Sequence, residues 1–451
     1  GVLTCFHPNR TTGDPKTDKT SVLAFMETKQ QKRERIASFG QIWMCGGNRI
    51  YEEPHYVYLG VHLTTDLNPH THLNQLKHKV ASQKREAILI GVRAGVLSMR
   101  RAVFLWKQWV EPKYVYACAL WIRADDAKAM GMIDRIQCEG AEAILGLNTQ
   151  RQDQTPPPRC NLLNEAHLLP ATALHAAGLL RFYRLVLSRR SDSLLKRVWN
   201  CVESHSRQAT GIHWTRSTNY AIKRLINAYP VLQDRARLPP PSDRIQWKHL
   251  TNDIARTEMR AWTRKQRTRA GRVEAYAQIA RELNPHGGVY GQFAQYLLTP
   301  ALTRQTRLSI AAMRVQSNAF LATHAGYRET ELYGPEQPDY RKRGCIWPPC
   351  THDQARVPDD AAHVLFDCPH FATQRRQYLA RVNAILASIG FSLDDLQTRT
   401  RQTSFLLGSL LLPLLQIEED HPGTYAEILG ETGAFLRHVY SYRWKHRHQR
   451  G

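Results

Sequence analysis

A chain of 451 residues with 42% hydrophobic content is long enough for roughly two to four packed units and too apolar for a disordered tail. Its 62 Lys and Arg against 39 Asp and Glu leave a formal charge of +23, a field that favours a polyanion partner such as RNA or DNA over the reading of a soluble basic protein with no special partner. The basic residues are spread over many segments and not gathered on one amphipathic helix, which turns the reading away from a membrane surface.

The longest apolar run, SFLLGSLLLPLLQI from Ser404, is broken by Pro413 and falls short of the ~20 residues that a bilayer requires. It reads as a kinked core helix. The first twenty residues carry Arg, Lys and Asp and no apolar stretch of signal-peptide type. Of nine cysteines, Cys5, Cys45, Cys118, Cys138, Cys160 and Cys201 are isolated, which argues against a disulfide framework and for a reducing compartment, nuclear or cytoplasmic and not secreted. The chain begins at Gly1 in mid-phrase, so a fragment of a longer protein is expected.

In chain order, TSVLAF through IWMCGGNRIYEEPHYVYLGVHLT alternates short β-branched and aromatic runs with Gly-Gly-Asn and Glu-Pro turn signals, predicting three or four strands. From about His70 to Leu147 the period becomes helical, with apolar Leu73, Leu76, Val80, Ile88 and Val92, a break near Gly95, and Pro112 opening a further helix. Asp125-Asp126 precedes another helical pattern and reads as a cap. Proline connectors at 148–160 and around Pro239 to Pro241 bracket a helical stretch with a basic face, and a further helical block runs from Trp247 to about Thr323. The fold class expected is mainly α with a small N-terminal β portion.

Two basic segments stand out. RTEMRAWTRKQRTRAGR carries seven cations against Glu258, and helical spacing places Arg256, Arg260, Arg264 and Arg267 on one face, with Trp262 and Lys265 beside them. Such a face suits a phosphate backbone; it is equally what a solvated helix surface looks like. The terminal RHVYSYRWKHRHQRG interleaves Arg443, Trp444 and Lys445 with tyrosines, a composition that single-stranded RNA can use and that a frayed tail also shows.

The chemically most specific segment is RGCIWPPCTHDQARVPDDAAHVLFDCPHF, in the pattern Cys-x4-Cys-x12-His-x4-Cys. Zinc takes four N or S ligands in a tetrahedron, and Cys345, Cys350, His363 and Cys368 are of the right type within a short span. Pro348 and Pro349 force a turn between the first two. Asp359 or Asp360 can cap a short helix presenting His363, with Val364, Leu365 and Phe366 as its apolar floor. Residues five apart on an ideal helix diverge by about 140°, so His363 and Cys368 converge only if the last turn opens, which Pro369 permits. His352, His370 and Asp353 are spare candidates. Four protein ligands make the site closed and structural, with no open position for catalysis.

The order of these segments resembles the C-terminal half of the reverse transcriptase of non-LTR, LINE-type retrotransposons, over about Thr17 to Leu147 and again over about Arg304 to Phe371. In DPKTDKTSVLAF, Lys19 and Thr20 match the Lys-Thr of the family's Asn-x-x-Lys-Thr strand, while Lys16 stands where its asparagine is expected. Tyr58, Leu59, Gly60 and Val61 match its Tyr-Leu-Gly-Val primer grip, Pro112, Tyr116 and Trp121 match thumb positions, and His363, Cys368 and Pro369 match its zinc segment. Asp359 and Asp360 replace the family's Glu-Thr.

The resemblance implies a palm remnant over 1–68, a helical thumb over 69–150, a helical connector over 151–335, a zinc module over 336–375 and a basic helical tail over 376–451. It implies a supporting role for Lys19 near the incoming nucleotide, structural Zn2+, and RNA and DNA as partners alongside the upstream polymerase region of the same polyprotein. The RNA-directed DNA polymerase activity of such a parent uses Mg2+ held by palm aspartates, and no Asp-Asp pair of this chain lies between apolar strand halves, so polymerisation by this chain alone is not expected. A stand-alone zinc-containing nucleic-acid-binding protein derived from such an element is the alternative.

Overall fold

The computed structural model describes residues 2–5, 21–24, 43–45, 48–50, 55–58, 61–64, 68–115, 122, 126–147, 157–205, 214–234, 238–267, 276, 294–299, 301–315, 345, 350, 360–409, 421 and 423–446. They are mainly helical. The chain divides into two compact units, the first comprising Gly1–Ser82, Lys113–Ile133 and Gly178–Asp243, the second Gln83–Pro112, Asp134–Ala177 and Arg244–Gly451.

In the first unit, strands pair as separate two-stranded antiparallel ladders, β1 (Val2–Cys5) with β2 (Ser21–Ala24), β3 (Trp43–Cys45) with β4 (Asn48–Ile50), and β5 (His55–Tyr58) with β6 (Val61–Thr64). No sheet of more than two strands is present among the described residues, and most of the span expected to be the palm remnant, 1–68, lies outside them. Helix α1 (Pro69–Leu76) starts where Asn68 accepts from His70 N at 2.9 Å and Pro69 supplies the first helical φ. The Asn68 N–H donates to Thr64 Oγ1 at 2.8 Å, which ties that start to the end of β6. A π turn at Lys77–Ala81 passes α1 into α2 (Ser82–Arg93). Asp126 accepts from Ala129 N at 2.9 Å and so caps α5 (Ala127–Ile144), as its place in the sequence predicts.

In the second unit, α2 ends at Gly95, whose φ of +76° is the left-handed conformation a helix stop needs. Ser98 then caps α3 (Met99–Trp109), and α4 (Glu111–Val115) carries Pro112 in its first turn. Trp106 is fully buried and lies so close to Gly140 of α5 that a Cβ there would meet the indole at 2.3 Å. Its Nε1 donates to Gln137 Oε1 at 2.6 Å, and Gln137 Nε2 in turn donates to Leu169 O at 3.0 Å. A buried indole is thus satisfied by a glutamine whose own amide is satisfied. The connector region supplies α6 (Arg159–Glu165) and the first part of α7 (Ala171–Ser188) to this unit, while α7 from Gly178 on, α8 (Leu194–His205), α9 (Trp214–Ala228) and α10 (Pro230–Gln233) belong to the first. Long α11 (Arg244–Arg267), short α12 (Gln295–Leu298) and α13 (Arg304–Arg314) come next.

The C-terminal part is built on α14 (Ala372–Ala387), α15 (Arg399–Leu406) and α16 (Thr424–His446). Tyr378 of α14 stacks on Phe435 of α16 at 4.8 Å between centroids, and its hydroxyl meets Thr432 at 3.0 Å. Thr306 of α13 packs directly on Gly433 of α16. The apolar run from Ser404 departs from the expected kinked helix. It leaves helix at Leu406, and Gly408 turns with a φ of +87° against Tyr296, well before Pro413. No helix of the described residues is long and apolar enough to cross a membrane.

Candidate metal centre

The approach to His363 begins at Asp360, whose Oδ1 accepts from the His363 N–H at 2.8 Å. Of the two aspartates expected to cap, Asp360 does so, and Asp359 lies outside the described residues. The next turn is not α-helical. Residues His363–Asp367 form a π turn closed by Cys368 N donating to His363 O at 2.7 Å, a bond five residues back. At about 4.4 residues per turn, positions five apart lie about 50° apart and not 140°, so the wider turn places the imidazole and the Cys368 thiol on one side. Pro369, which cannot continue the helix, follows at once.

The result is a compact constellation. One ligand atom from each of Cys345, Cys350, His363 and Cys368 lies within 4.8 Å of all the others. The Sγ atoms of Cys345 and Cys350 are each 3.9 Å from Cys368 Sγ, and Cys350 Sγ is 3.6 Å from His363 Nε2. A tetrahedral centre with bonds of 2.3 Å to sulfur and near 2.05 Å to nitrogen has edges of about 3.8 Å between sulfurs and about 3.6 Å from sulfur to nitrogen. These thiols are therefore at ligand spacing, far beyond the ~2.05 Å of a disulfide. All four residues are buried, as are Val364, Leu365 and Phe366 in the turn between His363 and Cys368.

The Cys368 thiol is held down to about 3, through hydrogen bonding from Cys345 above all, against the opposing effect of burial and with help from His363 and the backbone N–H of His370. A thiolate at neutral pH is the form a metal binds. Of the spare candidates, His370 is no part of the cluster: its ring packs on Phe371 and on Tyr442 of α16, at 4.9 and 4.7 Å. His352 and Asp353 lie outside the described residues.

The other predicted site residues do not converge. Lys19, Leu59 and Gly60 lie outside the described residues, while Tyr58 and Val61 are opposite one another at the end of the β5–β6 ladder. Arg256, Arg260, Trp262, Arg264, Lys265 and Arg267 all fall on α11, whose inner face buries Trp247, Ile254, Ala255 and Met259. Arg264 and Lys265 are exposed, Arg260 and Trp262 are half-buried, and Arg256 pairs with Asp253 at 3.4 Å. Trp444 and Lys445 continue α16. Arg443 is buried with its guanidinium 5.8 Å over the Phe371 ring, so it packs the last helix against the metal-binding segment and offers little surface to a phosphate.

A second buried polar cluster escaped the sequence reading. Glu165, at the end of α6, accepts from Arg314 Nε at 2.7 Å, Tyr296 OH at 2.7 Å and Tyr276 OH at 3.0 Å. Arg314 Nη1 donates to Leu407 O and Ser409 Oγ at 3.0 and 2.9 Å. Burial opposes the charge on Glu165, but Arg314 and the two tyrosines outweigh it and keep the carboxyl below its ordinary range. One signal was available: Arg314 is the only charge in LSIAAMRV, and a lone charge in an apolar helix has to find a partner. Compared with family models, curated proteins and solved structures, the chain finds no match in any of the three.

Proposed function

We propose that the chain is the C-terminal nucleic-acid-binding portion of a non-LTR retrotransposon RNA-directed DNA polymerase, gripping template RNA and target DNA around a structural zinc. The observation that carries this reading is the convergence of Cys345, Cys350, His363 and Cys368 within the His-x4-Cys-Pro context that the resemblance singles out, on a chain of charge +23. Three thiolates and an imidazole at tetrahedral spacing suit zinc better than magnesium or calcium, which prefer oxygen. Because all four positions are protein side chains, the ion's contribution is to folding and not to hydrolysis. In this reading Tyr58 to Val61 position a primer end and Lys19 lies near an incoming nucleotide. Mg2+ enters only with palm aspartates supplied by an upstream polymerase region, and the protein works in the nucleus or cytoplasm.

The stripe Arg256, Arg260, Arg264 and Arg267 on α11 is the surface proposed for the phosphate backbone, with Trp262 and Lys265 beside it. Purified protein is expected to hold about one zinc per chain, lost in the pair Cys345→Ser and Cys368→Ser. Its RNA and DNA affinity is expected to fall steeply with salt, by roughly 0.9 in log-log slope for each phosphate neutralised on duplex DNA, and Arg264→Gln is expected to lower that slope by about one. A metal-free protein of equal stability would end the zinc reading, and salt-independent binding would end the electrostatic one.

A further inference from the structure

Three thiolates and a neutral imidazole around a divalent ion leave one unit of negative charge in excess. That charge would sit among side chains with little access to water, Cys345 at 4%, Cys350 at 8%, His363 at 3% and Cys368 at 0% exposure. A net charge held away from water is costly unless a counter-charge is placed beside it.

One arginine in the first turn of α14 is so placed. Arg375 donates from Nη1 to the carbonyl oxygen of Cys368. It is half-buried. The guanidinium therefore bonds the backbone of one of the candidate ligand residues directly, and at that short range its positive charge is held next to the Cys368 thiolate. Two other arginines near this segment have different placements. Arg399 lies 4.2 Å over the Phe366 ring, 3.9 Å from Asp367, and bonds Gln402, while Arg443 lies over Phe371. Arg376, the next residue on α14, is exposed.

We propose that Arg375 is the positioning residue of the metal centre: its guanidinium anchors the Cys368 backbone and neutralises the excess negative charge of the thiolate cluster, so that it sets how tightly zinc is held. The inference rests on the zinc reading above. Residues that orient or electrostatically balance metal ligands typically change metal affinity by about 10–100-fold when they are replaced.

The test uses the full chain as wild type, Arg375→Gln, Arg375→Lys and Arg376→Gln, with zinc affinity measured by chelator competition and cobalt(II) as a spectroscopic probe of the ligand set. Arg375→Gln is expected to lose about 10–100-fold in zinc affinity and to release zinc faster, with the tetrahedral cobalt spectrum unchanged. Arg375→Lys, which keeps the charge and loses the planar fork, is expected to recover most of that affinity. Arg376→Gln should match the wild type. Wild-type affinity in Arg375→Gln overturns the proposal, as does a loss equal to that of Arg376→Gln, and so does failure of Arg375→Lys to recover any affinity. Should Arg375→Gln fold poorly, the lysine variant still decides: the charge-balancing role predicts zinc affinity close to that of the wild type, and a loss of about 10–100-fold in Arg375→Lys overturns it. A wild type that binds no zinc at all overturns the metal reading instead, which separates the two failures.

Discussion

The metal cluster draws its ligands from the 24 residues between Cys345 and Cys368, whereas the carboxylate cluster in the same unit joins Glu165, Tyr276, Tyr296, Arg314, Leu407 and Ser409. Both are buried and polar, and each leaves one nitrogen without a hydrogen-bond partner, His363 Nδ1 in the first and Arg314 Nη2 in the second. They differ in how chain entropy enters. The first closes a short loop and, on the proposed zinc reading, draws its strength from an ion, while the second closes several long loops and depends on the whole helical core to hold its members in place. A local cluster can thus fold and unfold as a segment. A distributed one is lost only when the unit opens.

The largest test of this difference is removal of the metal. Chelation, or Cys345→Ser together with Cys368→Ser, should withdraw on the order of 10 kcal/mol of binding free energy from the segment that supplies the ligands. The expected readout is local: faster proteolysis within 345–371 while the far-UV helix signal largely remains. Simultaneous collapse of the whole unit would show that the centre is integral to the core and erase the distinction.

Breaking the carboxylate cluster should act globally. Arg314→Met leaves the Glu165 carboxylate buried without its partner, and removal of one member of a buried pair typically costs about 3–5 kcal/mol. The double replacement of Glu165 and Arg314 by methionine should cost clearly less than the two single changes together, read as shifts of denaturant midpoint at constant slope. The pH dependence follows from the depressed carboxyl. Glu165 contributes stability that is fully present above its unfolded value of 4.5 and is lost as pH falls through its lower folded value. Glu165→Gln should therefore flatten the acid limb of stability below about pH 4.5, and an unchanged limb would count against the pairing.

This contrast also explains what could be read from the sequence. Ligand type, spacing and the prolines at 348, 349 and 369 are local properties, so Cys345, Cys350, His363 and Cys368 were identifiable as a set. The geometry that joins them was only half visible: an ideal helix sends His363 and Cys368 apart, and the π turn that reunites them has no residue signature beyond Pro369. The helix start behind Asp126 was legible too, because a capping aspartate precedes a helical period. The partners of Glu165 were not, because periodicity says which face of a helix is buried and never which distant side chain it meets. Burial of Arg443 was hidden for the same reason, since a basic, aromatic tail reads alike whether it faces solvent or packs on Phe371.

The mildest test compares glycines where tight packing, and not polarity, separates neighbours. A Cβ on Gly140 would meet the Trp106 ring at 2.3 Å, so Gly140→Ala should force a fully buried indole off its seat and lose about 1–3 kcal/mol. Three residues apart on α16, Gly430 and Gly433 should respond with opposite signs. At Gly433 the added methyl would lie 2.4 Å from the Thr306 side chain and 2.8 Å from its backbone Cα, which cannot swing away, so Gly433→Ala should destabilise the packing of α13 on α16 by a similar amount. At Gly430 an added Cβ would meet nothing within 4 Å beyond the helix's own backbone, and replacing a helical glycine by alanine should instead stabilise by about 0.5–1 kcal/mol. Thermal midpoints measured on the two variants side by side check this directly. Equal shifts of the same sign would mean that α16 does not approach α13 at Gly433, and with that the helical frame holding the distributed cluster would need to be redrawn.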